Sequence, residues 1–176
     1  MDIVLPPGCD PRLRRLAEYL AGKVAPGKLP GRQHIDPAQI PDLLPCLVLY
    51  DVVSQPNGGA RYRTRLAGTK VVEILGDEMT GKFLDEMLPT VSGSEIIRQY
   101  DGIVETKQPH YLEGNLRNRG REHILFQRIA FPLARDGEEV DMLVMIMVGF
   151  DTHAIHFNKE PAPAAVGRRQ RFSWFR

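Results

Sequence analysis

VDMLVMIMVGF, residues 140–150, is apolar on both parities: Met142, Val144, Ile146 and Val148 alternate with Leu143, Met145 and Met147. A strand with one wet face alternates apolar with polar residues, so this run reads as a central strand covered on both sides. Met142 to Phe150 is far shorter than the roughly 20 apolar residues that span a bilayer. Upstream, Asp136-Gly137 marks a turn, Glu122 to Phe131 reads as the strand before it, Asn118 to Gly120 turns again, and His110 to Arg117 reads as the strand before that. The three form a meander.

Further upstream the pattern changes to helical. Ser92 and Glu95 form a capping box that opens a helix carrying Ile96, Ile97, Tyr100, Ile103 and Val104 on one stripe and ending before Pro109. Two shorter helical pieces precede it, Val71 to Leu75 stopping at Gly76 and Phe83 to Leu88 stopping at Pro89. Before them lies a hairpin: Leu47 to Val53 is one arm, Asn57-Gly58-Gly59 is the turn, and in the second arm Tyr62, Thr64 and Leu66 alternate with Arg61, Arg63 and Arg65. Two strands, three helical pieces and three strands predict an α+β domain, a five-stranded antiparallel sheet with helices on one face, its last strand beside its first. The chain opens with an amphipathic helix, capped by Asp10 and Pro11, with Leu13, Leu16, Leu20 and Val24 on one face. Asp36-Pro37 predicts a further short helical turn. The expected organisation is residues 1–30 as N-terminal helix and linker, 31–157 as the domain, and 158–176 as a flexible basic and aromatic tail.

At 176 residues the chain suits one domain with a substantial core, and its 43% hydrophobic and 26% charged content is ordinary for a globular protein. A formal charge of +1 supplies no long-range field for nucleic acid or an anionic membrane, so nucleic acid is not an expected partner. Cys9 and Cys46 have no metal-ligand spacing, and Met1 to Asp10 lacks the pattern of a signal peptide. Both point to a reducing, cytoplasmic setting.

Several segments resemble the PAS_5 group of bacterial PAS domains over about Gly31 to Asp151. They are Ile35-Asp36-Pro37 with Ile40-Pro41 and Leu43-Leu44-Pro45, Tyr62 to Thr69, Met79-Thr80-Gly81-Lys82, and Phe131-Pro132-Leu133 before Asp136-Gly137. The resemblance implies a PAS-like sensory fold, without catalysis, standing alone or joined to other signalling modules. Physically, Gly68 and Thr69 turn a strand into a helix, Gly81 turns between helices, and Pro132 is expected to end strand pairing. Photoreactive flavin domains of this fold use a cysteine within an asparagine- and arginine-rich helix, and neither Cys9 nor Cys46 falls in one.

Chemical candidates are sparse. His110 and His123 lie in neighbouring strands without a third metal ligand nearby, and His153 and His156 follow the last strand. Ser92 and Ser94 sit at a helix cap with no glycine elbow, and Asp77, Glu78, Asp85 and Glu86 occupy helix ends and turns where solvated charge is usual. No catalytic or metal residues are assigned, and no cofactor is named. Arg61, Arg63 and Arg65 form a basic row on a solvated strand face, with Arg65 placed either to receive an acidic ligand or to brace the following helix. The tail from Arg168 to Arg176 mixes four arginines with three aromatics, a composition that can dock on an acidic partner, RNA or a membrane surface, with a solvated tail as the plainer reading.

The reading these residues support is a non-enzymatic sensor that binds a small ligand between sheet and crossover helices, lined by Tyr100, Phe126, Met145 and Met147, with Arg65 at its margin, and that acts on a downstream protein. The alternative is a ligand-free dimerisation or docking module, and an enzyme ranks third. The N-terminal helix, Pro11 to about Val24, is expected to pair its leucine stripe with a second copy, with folding back onto its own sheet as the rival.

Overall fold

In the computed structural model, which describes residues 3–56, 58–88, 91–116 and 124–151, the doubly apolar run is the centre of a sheet. Met142–Asp151 (β5) pairs antiparallel with Leu47–Ser54 (β1) on one side and with Ile124–Leu133 (β4) on the other. Ala60–Ala67 (β2) adds beyond β1 and His110–Asn115 (β3) beyond β4, giving the order β2-β1-β5-β4-β3 with every pair antiparallel. The first and last strands lie side by side, as the sequence predicts. Pro132 does not end the pairing: it sits opposite Leu143 and the ladder runs on to Leu133. β3 leaves β4 at Ala130, so Pro132 occupies a stretch with a neighbour on one side only, where a missing N–H is tolerated.

Three helices cross between β2 and β3: Thr69–Leu75 (α2), Leu84–Met87 (α3) and Val91–Thr106 (α4). Gly68 makes the corner into α2, and its N–H donates to the Leu47 carbonyl at 2.8 Å. A Cβ there would lie 2.3 Å from the Leu44 carbonyl oxygen and 2.4 Å from that of Pro45, so the close approach requires glycine. α2 ends at Gly76 in the left-handed conformation, φ 77°. The short turn at Asp36 forms as expected, Pro37–Gln39, with the Asp36 carboxylate accepting from the Ala38 N–H at 3.0 Å.

The two sheet faces carry different cores. On one, Val48, Tyr50, Tyr62, Leu143, Met145 and Met147 pack against α2, α3 and α4. On the other, Leu47, Leu49, Ile129, Phe131, Val144 and Ile146 pack against the N-terminal helix Pro11–Ala21 (α1). Leu13, Leu16 and Leu20 are 0%, 0% and 1% exposed within the chain itself. The stripe expected to meet a second copy is therefore consumed internally. A wide apolar sheet face on the same chain is available at an effective concentration that a free partner does not match, and each leucine contributes about 1.5–3 kcal/mol by burial there. α1 is fixed at its start, where the Asp10 carboxylate accepts from the Arg12 N–H at 2.9 Å and the Asp10 N–H donates to the Gln127 side chain on β4 at 2.8 Å. Tyr19 pins the following loop, donating to the His34 carbonyl and accepting from the Asp36 N–H, both at 2.9 Å.

Candidate functional site

Only two polar or charged residues are classed as buried among the described residues, Thr64 and Arg128, and both face the crossover helices. The pairing explains how they come there. Arg128 lies between Leu112 on β3 and Met147 on β5, and Thr64 opposite Tyr50. Strand alternation puts Phe126, Arg128 and Ala130 on the face of Met145 and Met147, and His110 and Gly114 beside them on β3.

Tyr100 descends from α4 into this layer and is 1% exposed. Its hydroxyl donates to Met145 Sδ at 3.3 Å and accepts from Arg128 Nη1 at 3.2 Å, while Arg128 Nη2 donates to the Gln99 side-chain oxygen at 2.5 Å. The Tyr50 and Tyr62 rings flank Tyr100 with centroids 5.3 Å away, one tilted and one edge-on, as aromatic quadrupoles favour. Tyr62 donates to Asp101 on α4 at 2.5 Å. Burial, reinforced by the neighbouring Tyr100, pushes the Tyr50 hydroxyl well above its ordinary value, and burial and the Asp101 carboxylate do the same for Tyr62. These phenols stay protonated donors. Burial, and then the Arg128 charge, holds His110 below the ordinary histidine value. Thr64 Oγ1 is buried and has no hydrogen-bond partner.

Four of the five sequence-selected residues meet here: Tyr100, Met145 and Met147 in the core and half-buried Phe126 packed against it. Arg65 does not join them. Strand alternation from Thr64 puts Arg65 on the other side with Arg63, and a bulge in the β1–β2 ladder, where Leu49 faces Leu66 and Tyr50 faces Thr64, leaves it without a ladder partner. There its guanidinium pairs with Asp51 on β1 at 3.1 Å rather than bracing a helix. The same bulge moves exposed Leu66 off the face of Tyr62 and Thr64. Arg63 shares Asp51 at 2.9 Å, and Arg61 stacks on Phe83 and pairs with Asp85 and Glu86, so the basic row is neutralised by its own chain. Asp77 pairs with Lys82 and Glu78 accepts from the Thr80 N–H, which occupies the remaining acids of that segment.

Sequence reading missed Arg128 and Gln99. The available signal was an arginine at the parity of Phe126 within a strand that otherwise turns apolar. An open cleft of about 180 Å³ lies at the mouth of the layer, between Ala60, Arg61, Tyr62, Leu84, Asp85 and Ile97. Among the described residues no group of three metal-ligating side chains occurs, and no helix is long and apolar enough to cross a membrane. His123, His153, His156, the side chain of Ser92 and the arginine-aromatic tail lie outside the described residues.

Comparison with known proteins adds a family and a fold. A family model described as PAS domain, that of PAS_5, matches residues 10–148. Among solved structures the chain is similar to a sensory box sensor histidine kinase from Vibrio cholerae, with 13% identity, 64% of this chain and 88% of that chain covered, and a TM-score of 0.36. It is also similar to a variant of Vivid, with 15% identity, 85% and 99% covered, and a TM-score of 0.43. No curated protein matches the chain.

Proposed function

From the premise that this chain belongs to the PAS domain family, we propose that it is a non-enzymatic sensory and signalling domain which binds a small molecule between its sheet and crossover helices and passes the change to a downstream protein. One observation carries the reading, the unlike construction of the two sheet faces. The face under α1 is closed mainly by aliphatic side chains, with Cys9, Cys46, Met142 and Phe131, and buries no charged residue. The face under α4 holds three buried tyrosines, three buried methionines and both buried polar residues. Polar groups inside a core raise the energetic stakes of its packing and give a ligand something to address, while flexible methionines let the wall adapt.

The mechanism follows from α4. Tyr100, Gln99 and Asp101 tie this helix to β4, β5 and β2 through side-chain hydrogen bonds. A molecule that exchanges hydrogen bonds with Arg128 or Tyr100 alters the seating of α4 on the sheet, and surface displaced with α4 is what a partner would read. Buried free Cys9 and Cys46 accord with a reducing compartment such as the cytoplasm.

A second reading, a ligand-free docking module, is favoured by the filling of the layer: Tyr50, Tyr62 and Tyr100 occupy its centre, and the cleft of about 180 Å³ is smaller than usual ligand pockets of roughly 300–1,000 Å³. Native mass spectrometry of gently purified protein, followed by a thermal-shift screen of metabolites, separates the two. A co-purified molecule, or a metabolite that raises the melting temperature, supports sensing; neither outcome with any compound overturns it in favour of docking.

A further inference from the structure

We propose that Arg128 is the counter-charge for a small monocarboxylate ligand with an apolar body, held beside Gln99, Tyr100 and Gly114 on the β3 side of the helix-covered face. The inference rests on the sensory reading and narrows it to a ligand class.

Arg128 is 6% exposed. Taking an ion from water costs several kcal/mol unless a partner of opposite charge and further hydrogen bonds replace the solvent. Among the described residues Arg128 has neutral partners only, the Tyr100 hydroxyl and the Gln99 side-chain oxygen, and no carboxylate pairs with it. Arg61, Arg63 and Arg65, all more exposed, each have a carboxylate partner. Among the described residues the most enclosed arginine is thus left without the carboxylate partner that the chain supplies at the surface. A guanidinium has five N–H donors in a planar fork, so two bonds leave donors over for the two oxygens of a carboxylate.

Room exists next to it. Gly114, diagonal to Arg128 in the β3–β4 ladder and on the same face, has nothing within 4 Å of the place a Cβ would take. Phe126, opposite Gly114, offers an apolar wall. His110, the other titratable group on this face of β3, is kept neutral around pH 7 by burial and by Arg128. Asp101, on the β2 side of α4, is engaged by the Tyr62 hydroxyl, so Arg128 is the single charge among Gln99, Tyr100, His110, Gly114 and Phe126, and a single negative charge balances it.

The test uses the full chain in isothermal titration and thermal shift with benzoate and hexanoate, each beside its neutral amide, and with inorganic phosphate. The expected result is binding of at least one carboxylate, with its amide and phosphate at least tenfold weaker, and loss of that preference in Arg128→Gln. Because Arg128→Gln could impair folding, Gly114→Val provides a second test: it fills the open space on a strand that favours valine, and it should keep the fold while weakening the carboxylate at least tenfold. Equal binding of acid and amide, equal binding of phosphate, or unchanged binding in Gly114→Val overturns the inference. So does the absence of carboxylate binding up to the solubility limit. If neutral molecules still bind or co-purify in that case, the sensory reading survives alone, whereas if nothing binds or co-purifies both readings fall.

Discussion

Thr64→Val should stabilise this protein, although Thr64 is fully buried and substitutions in cores usually do harm. The backbone of Thr64 is engaged on the outer edge of β2: its N–H donates to the Lys82 carbonyl at 2.9 Å, and its carbonyl accepts from the Gly81 N–H at 2.7 Å. Its side-chain oxygen has no partner. A buried hydroxyl without a hydrogen bond carries a desolvation penalty of about 1–3 kcal/mol, and valine replaces it with a methyl group of similar size that also suits a strand. The net gain expected is about 1–2 kcal/mol, or a rise in melting temperature of roughly 2–8 °C for a chain of this length. Urea unfolding should show a higher midpoint with an unchanged slope, since the surface exposed on unfolding barely differs. Thr64→Ser keeps the hydroxyl and removes the methyl group, and should cost about 1 kcal/mol instead. A Thr64→Val protein less stable than the parent would refute the reasoning, because it would mean that the hydroxyl is satisfied in solution.

Leu16→Ala, under the sheet face closed by α1, should cost about 2–5 kcal/mol in urea unfolding of the full chain, whereas Arg15→Ala, which breaks an exposed pair with Asp42, should cost less than about 1 kcal/mol. Equal costs would argue against α1 as part of the core. Gly68→Ala should lose about 1–3 kcal/mol from the collision with the Leu44 and Pro45 carbonyls; a neutral result by calorimetry would contradict that close approach. His110 has its value depressed in the folded state, so the unfolded chain takes up its proton first as pH falls below about 6.5. The stability it contributes is complete above that pH and is lost on acidification through the folded value, and His110→Gln should flatten this part of the stability profile measured from pH 7 to 5.

The sheet was legible because its signals are local. Two-residue alternation, glycine turns and the doubly apolar run from Met142 to Val148 all act within a few residues, and together they locate the strands and the neighbour of the last one. The partner of α1 was less legible, since an amphipathic stripe states that it needs cover without stating whose. Leu66 was misplaced by a single bulge, which reverses facing without altering composition, whereas Arg65 stays on the face that alternation gives it, beside Arg63 and Asp51. Arg128 escaped notice because its meaning lies in what surrounds it: an arginine in a strand reads as solvent-facing until Tyr100 and Gln99, nearly thirty residues away in sequence, are seen to enclose it.

The central place of β5 also governs when this fold can form. Without it the remaining strands are two separate hairpins, β1 with β2 and β3 with β4, and an isolated hairpin is marginal in water. α1, too, rests on a face that β5 completes. Both cores therefore wait for the strand nearest the C-terminal end of the described chain to insert between β1 and β4, roughly eighty residues apart in sequence, a pairing whose loop entropy must be met before any of its contacts form. During synthesis the earlier strands emerge with open edges, and the leucines of α1 stay without their sheet face until β5 leaves the ribosome.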